Sequence, residues 1–142
     1  MSVKQISVFI ENKTGKLAEV TDYIAKHNIN LKALCIADTQ DFGILRIICE
    51  NHSDAVVALK EGGYVTTETE VLAVELSDKP GSLAKILKIL ADADVIVEYT
   101  YAFLSVKNAD HAYMIFRVDD NKVAAASLMA EGIQVVSDSN LF

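Results

Sequence analysis

Near the start of the chain Ile6, Val8 and Ile10 alternate with other side chains, the period-two pattern of a strand with one buried face. The chain then turns at Asn12 to Gly15 and the apolar spacing lengthens. Leu17, Val20 and Ile24 recur at helical intervals, predicting a helix that closes at His27 and Asn28. Asn30 to Asp38 and Phe42 to Glu50, rich in Leu, Ile and Cys, flank the turn formers Thr39, Gln40 and Asp41 and predict an antiparallel hairpin. Ser53 is placed to cap a second helix with Val56 and Leu59 inward, which Gly62 and Gly63 stop before a β-prone stretch from Tyr64 to Glu68. The predicted order is βαββαβ.

The pattern then begins again. Ile10 to Leu31 lies on Leu76 to Val97 without a gap at an offset of 66 residues, with Lys13 on Lys79, Gly15 on Gly81, Leu17 on Leu83 and Ala18 on Ala84. Asn12 and Asn28 fall on Asp78 and Asp94, and Ile29 on Val95. A repeat this regular implies two copies of one unit. The second is expected to use Val71 to Leu76, Leu83 to Ala93, Val95 to Ser105, Tyr113 to Val118, Val123 to Glu131 and Ile133 to Val136, with a longer hairpin loop around Lys107 to Asp110. Domains at 1–70 and 71–142 follow. The junction, Thr67 to Glu70, has neither Pro nor a Gly/Ser run and reads as a short rigid connection.

Each unit is expected to be α+β and ferredoxin-like, with four antiparallel strands and both helices on one face. A unit of about seventy residues buries only roughly 60% of its surface, so pairing of the two should add stability, and a ligand would lodge at the seam.

Composition narrows the function. With 51% hydrophobic residues in 142, a packed core is expected. Thirteen basic against twenty acidic side chains leave a formal charge of -7, which disfavours phosphate backbones and hence nucleic-acid partners. No apolar run reaches the length of a membrane span, and Met1 to Ile10 lacks the pattern of an export signal, so a cytoplasmic protein is expected. Cys35 and Cys49 match neither a CxxC motif nor a disulfide framework and read as buried free thiols.

His27, His52 and His111 stand apart without metal-ligand spacing, so no metal or cofactor is expected. His27 reads as a helix end, while His52 and His111 stand at element starts where either could line a pocket. No phosphate loop, nucleophile elbow or HExxH motif occurs, and no catalytic residue is assigned. Tyr99, Tyr101 and Phe103 alternate on one strand face, a pattern of sheet packing more than of base stacking in so acidic a chain.

The strand, then Asn/Asp-Lys-x-Gly-x-Leu-Ala, then an amphipathic helix, seen at Asn12 to Ala18 and again at Asp78 to Ala84, is similar to the ACT family, small regulatory domains of amino-acid metabolism. The two copies cover nearly the whole chain. The second has the commoner Asp-Lys-Pro-Gly loop, whereas the first has Thr14 for Pro80 and Lys16 for Ser82.

The loop chemistry suits a free amino acid. Glycine at 15 and 81 lets a ligand approach the unpaired amides that open the next helix, where a carboxylate gains about 0.3 to 1 kcal/mol when exposed and up to about 2 kcal/mol when partly buried. Asn12 or Asp78 could accept from the ammonium group. The same Asn/Asp-x-x-Gly turn is also an ordinary cap, so both readings stay open. Lys13 and Lys79 read as solvated charges, and Asp38, Asp41 and Asp110 either favour a polar or cationic ligand side chain or simply form turns.

The resemblance implies an effector held between ACT units by this loop of one and the second strand of another. It points to Asn12, Thr14, Gly15, Lys16, Leu17, Ala18, Leu31 and Leu34 in the first copy. In the second it points to Asp78, Pro80, Gly81, Ser82, Leu83, Ala84, Val97 and Tyr99. The expected function is an amino-acid sensor, acting as a homodimer. The alternatives are a regulatory subunit docking on an amino-acid biosynthetic enzyme, or a small enzyme on the same scaffold.

Overall fold

In the computed structural model, residues 2–38, 41–103 and 111–141 are described. Thr39, Gln40 and the long hairpin loop expected around Lys107 to Asp110 lie outside them. The chain divides into two compact units, Lys4–Thr69 and Glu70 onward, the latter taking in the residues before Lys4.

The first unit contains β1 (Val3–Glu11), α1 (Lys16–Lys26), β2 (Leu31–Asp38), β3 (Phe42–Cys49), α2 (His52–Glu61) and the opening of β4 (Val65–Ser77). Its strands are ordered β2-β3-β1-β4. The antiparallel register sets Ile6 against Ile47, Val8 against Leu45 and Glu11 against Phe42. Strand alternation turns Ile6, Val8, Ile10, Leu45 and Ile47 to one face, where Val20 and Ile24 of α1 and Ala55 and Leu59 of α2 complete the core.

The second unit repeats this with the rest of β4, α3 (Ser82–Asp92), β5 (Val97–Ala102), β6 (His111–Val118), α4 (Asn121–Ala130) and β7 (Val135–Val136), followed by a short α5 (Asp138–Leu141). β4 lies between β6 and the short β7, and β5 flanks β6. Leu72, Val74, Phe116 and Val118 meet Ile86 and Leu90 of α3 and Ala124 and Leu128 of α4. Both units are therefore ferredoxin-like, as the pattern predicted.

Thr67 to Glu70 lies within β4, whose alternating Thr and Glu residues suit extended backbone, so the short connection between the units is continuous strand. Other expectations are corrected. Ser53 does not cap α2. Asn51 holds that position, with no side-chain cap bond, because the helix already starts at His52. In the second unit Asp120 does cap α4, its Oδ1 accepting from the Lys122 and Val123 amides at 3.1 Å each. Cys49 is buried but Cys35 only half-buried, and burial pushes the Cys49 thiol up to about 11.

Repetition extends to the helix ends. Asn28 and Asp94 both take left-handed backbones, φ 57° and 56°, after α1 and α3. Asn and Asp tolerate that region better than other residues with a Cβ, so each ends its helix without glycine.

Candidate functional site

The two strand-to-helix loops have the same backbone. Gly15 has φ 87° and ψ -10°, and Gly81 has φ 89° and ψ -9°. The Lys13 and Lys79 amides donate to the carbonyls of Glu11 and Ser77 at 2.9 Å, and those of Lys16 and Ser82 to Lys13 and Lys79 at 3.2 Å. Replacing Thr14 by Pro80 and Lys16 by Ser82 leaves this geometry unchanged. A Cβ on either glycine would meet nothing within 4 Å, so glycine is required here by its left-handed φ and not by a close approach.

The first full helical bond in each copy runs from Glu19 N–H to Gly15 O and from Lys85 N–H to Gly81 O, 2.9 Å in both. The amides of Leu17 and Ala18, and of Leu83 and Ala84, stand ahead of that bond and have no carbonyl to meet within the helix. All four residues are exposed, as are Asn12, Thr14, Gly15, Asp78, Pro80 and Gly81. The loops thus present positive helix ends to solvent.

Beside each loop lies a cavity. In the second unit it measures about 270 Å³, and its polar lining is Glu75, Ser77, Ser82, Lys85, His111 and Gln134. Leu76, Ile86 and Ile133 supply its apolar wall. The Ser77 and Ser82 hydroxyls are 2.8 Å apart, and His111 Nδ1 donates to the Glu75 carboxylate. The β4–β6 register sets Ser77 opposite His111, which is how a residue distant in sequence reaches the loop.

In the first unit the cavity is about 160 Å³, lined by Phe9, Ile10, Glu11, Lys16, Glu19 and Tyr64. These are the repeat partners of Glu75, Leu76, Ser77, Ser82 and Lys85, while Tyr64 corresponds to Ile133. The last pair is fixed by the helix ends, since Tyr64 N–H donates to Leu59 O and Ile133 N–H to Leu128 O, each at 3.0 Å. His111 has its counterpart in Phe42, opposite Glu11.

The electrostatics differ as much as the volumes. Glu11 pairs with Lys13 at 2.8 Å and Lys16 with Glu19 at 3.3 Å. The hydrogen bond and charge of Lys13 hold the Glu11 carboxyl below its ordinary range, and Glu11 raises Lys13 in return. Burial, with the charge of Glu19 second, pushes the Tyr64 phenol up. In the second unit, no carboxylate among the described residues lies within 4 Å of Lys85.

Of the residues expected from sequence, Lys16 and Ser82 line these cavities. Leu31 and Leu34 are half-buried against the first core and Val97 against the second. Tyr99 stacks on the buried Tyr101 with ring centroids 6.4 Å apart, which is sheet packing. Asp41 is exposed, and its carbonyl accepts from the Asn12 amide at 3.1 Å. The Asp38 side chain and Asp110 lie outside the described residues. Sequence reading missed Glu75, Ser77, Lys85 and Gln134, and left His111 without a partner. The repeat offset, carried back to Glu75 and Ser77, was the available signal.

The remaining histidines are accounted for locally. His52 Nε2 meets Glu68 Oε1 at 2.5 Å, and this hydrogen bond lowers the Glu68 pKa. His27 ends α1, its Nδ1 donating to Tyr23 O at 2.8 Å. No cluster of metal-ligating side chains occurs among the described residues, and no helix there is long and apolar enough to cross a membrane.

A family model described as an ACT domain pair matches residues 1–142. The chain is 38% identical to protein BT0572 of Bacteroides thetaiotaomicron, whose solved structure superposes with a TM-score of 0.91 over 99% of this chain and 96% of that one. The regulatory subunit of aspartate kinase from Thermus thermophilus, in its ligand-free form, is 17% identical with a TM-score of 0.67, covering 91% of this chain and 90% of its own. That from Thermus flavus is 15% identical with a TM-score of 0.62, covering 89% and 90%. At these last identities the likeness is one of fold. No curated protein matches the chain.

Proposed function

The chain belongs to the ACT domain pair family, and on that premise we propose that it is a regulatory protein that binds a free amino acid and performs no catalysis of its own. The carboxylate of the ligand lies at the start of α1 or α3, and its ammonium is accepted by side chains at the end of the strand leading in. The observation that carries this reading is the duplicated loop, with its left-handed glycine and, ahead of the first helical bond, the amides of two exposed residues. An anion at such an end completes hydrogen bonds and meets the positive end of the helix dipole. The contact set is Asn12, Thr14 to Ala18, Leu31 and Leu34 in the first copy and Asp78, Pro80 to Ala84, Val97 and Tyr99 in the second, in ACT units 1–70 and 71–142, and a homodimer is the proposed assembly.

Thermal unfolding with each common amino acid tests it. A ligand at a hundred times its dissociation constant adds about 2.7 kcal/mol, a Tm rise of a few degrees. The L form of one or a few amino acids should give that rise and the D form should not. Failure of every amino acid to raise Tm would refute the reading.

A second reading is favoured by the near-complete mutual coverage with the aspartate kinase regulatory subunits, which have the same extent of fold. In it the chain docks on a separate biosynthetic enzyme and transmits feedback. Co-purification with such an enzyme, and altered inhibition of that enzyme on adding the chain, would establish it.

A further inference from the structure

We propose that the two repeats divide their roles, so that the second unit alone takes the ligand, in the cavity between the end of β4, the first turn of α3 and the α4–β7 turn, and that this ligand is an aliphatic amino acid. The inference rests on the amino-acid reading above and specifies its site and side-chain class.

The polar groups of this cavity sort by chemistry into acceptors and donors. A carboxylate only accepts, so Nδ1 of His111 carries the proton it shares with Glu75. The second oxygen of the Glu75 carboxylate can still accept, and with its charge it forms an acceptor corner suited to an ammonium group. Among the donors, the Ser77–Ser82 contact uses one hydroxyl proton and leaves the second to donate.

Lys85 adds a cation to the donors. The antiparallel ladder adds a further donor. Glu75 N–H donates to Gln134 O, so β4 turns its odd-numbered amides away from β6, and Ser77 N–H faces the edge beyond the two-residue β7. These donors suit a carboxylate. With both charges of a zwitterion accommodated, Leu76, Ile86 and Ile133 are left to meet the side chain, and they offer only apolar contact.

The same place in the first unit has neither the space nor the free groups. Tyr64 occupies the position of Ile133 and the cavity falls to about 160 Å³. Glu11 and Lys16 are already matched by Lys13 and Glu19, and Phe42 replaces the imidazole. A zwitterion entering there would have to break ion pairs, with no acceptor corner to gain.

Isothermal calorimetry on the full chain against the common amino acids decides between one site and two. Expected is one equivalent per chain, with valine, leucine, isoleucine or alanine bound more tightly than aspartate, glutamate, lysine or arginine. Ile133→Tyr, which transplants the first unit's closure, and the near-isosteric Glu75→Gln should each weaken binding roughly tenfold or more. Tyr64→Ile should leave affinity unchanged.

Binding of two equivalents, a preference for charged side chains, or full affinity in folded Glu75→Gln would overturn the inference while leaving the amino-acid reading intact. Absence of any binding to the unaltered chain would overturn both. Circular dichroism identifies a misfolded Ile133→Tyr, and Glu75→Gln then carries the test alone.

Discussion

Gly15 and Gly81 differ by 2° in φ and 1° in ψ, yet the cavities beside them differ by about 110 Å³, from about 160 to about 270 Å³. The loops agree because a few backbone requirements recur: a left-handed residue before the helix, an Asn or Asp able to turn left-handed after it, and inward side chains at strand and helix periods. The cavities diverge because they are built from side chains those requirements do not constrain. Lys16 against Ser82, Glu19 against Lys85, Glu11 against Ser77 and Tyr64 against Ile133 all leave the backbone as it is. Duplication has kept the frame and released the chemistry.

The largest effects should come from the shared frame. Ile47 and Phe116 occupy equivalent positions opposite Ile6 and Leu72, and both are fully buried. Denaturant unfolding should show Ile47→Ala costing about 2 to 5 kcal/mol and Phe116→Ala about 3 to 5 kcal/mol, each lowering the midpoint. A value near zero for either would remove that unit's core from the account.

Next come the glycines. A left-handed backbone costs an ordinary L residue roughly 1 to 2 kcal/mol, and a β-branched one more. Gly15→Val and Gly81→Val should therefore destabilise to similar extents, because a Cβ at either position meets open space. Their effects on ligand affinity should differ, since only the Gly81 loop, through Ser82, borders the larger cavity. Equal losses of affinity would break the proposed division of roles.

The smallest effect separates the caps of the second helices. Asp120→Ala removes two bonds to amides and should cost about 1 kcal/mol. Asn51→Ala removes no cap bond and should cost close to nothing in the same denaturant unfolding. A larger loss at Asn51 would mean that the first unit relies on a contact other than its cap.

Much of the frame was legible in the sequence, because Ile6, Val8 and Ile10 or Val20 and Ile24 declare their faces by spacing alone. Element ends were less so. Ser53 is a good capping residue that the helix overran, and the connection at Thr67 to Glu70 was legible as short and rigid but not as the middle of a long strand. The loops were legible as a motif, though their glycines are needed for φ and not for room.

The cavity was not legible. It joins Glu75 and Ser77 to His111 through a strand register and to Gln134 through a helix-ending turn, and neither juxtaposition follows from local pattern. The pairing of His111 with Glu75 likewise exists only once β4 and β6 are aligned.

Residue-resolved amide NMR during titration with the tightest-binding aliphatic amino acid separates a binding repeat from a silent one. Saturable shifts are expected at Glu75, Ser77, Ser82, His111 and Gln134, with Glu11, Lys16, Glu19 and Tyr64 unmoved. Matching shifts in both sets at the same ligand concentration would mean that both repeats bind.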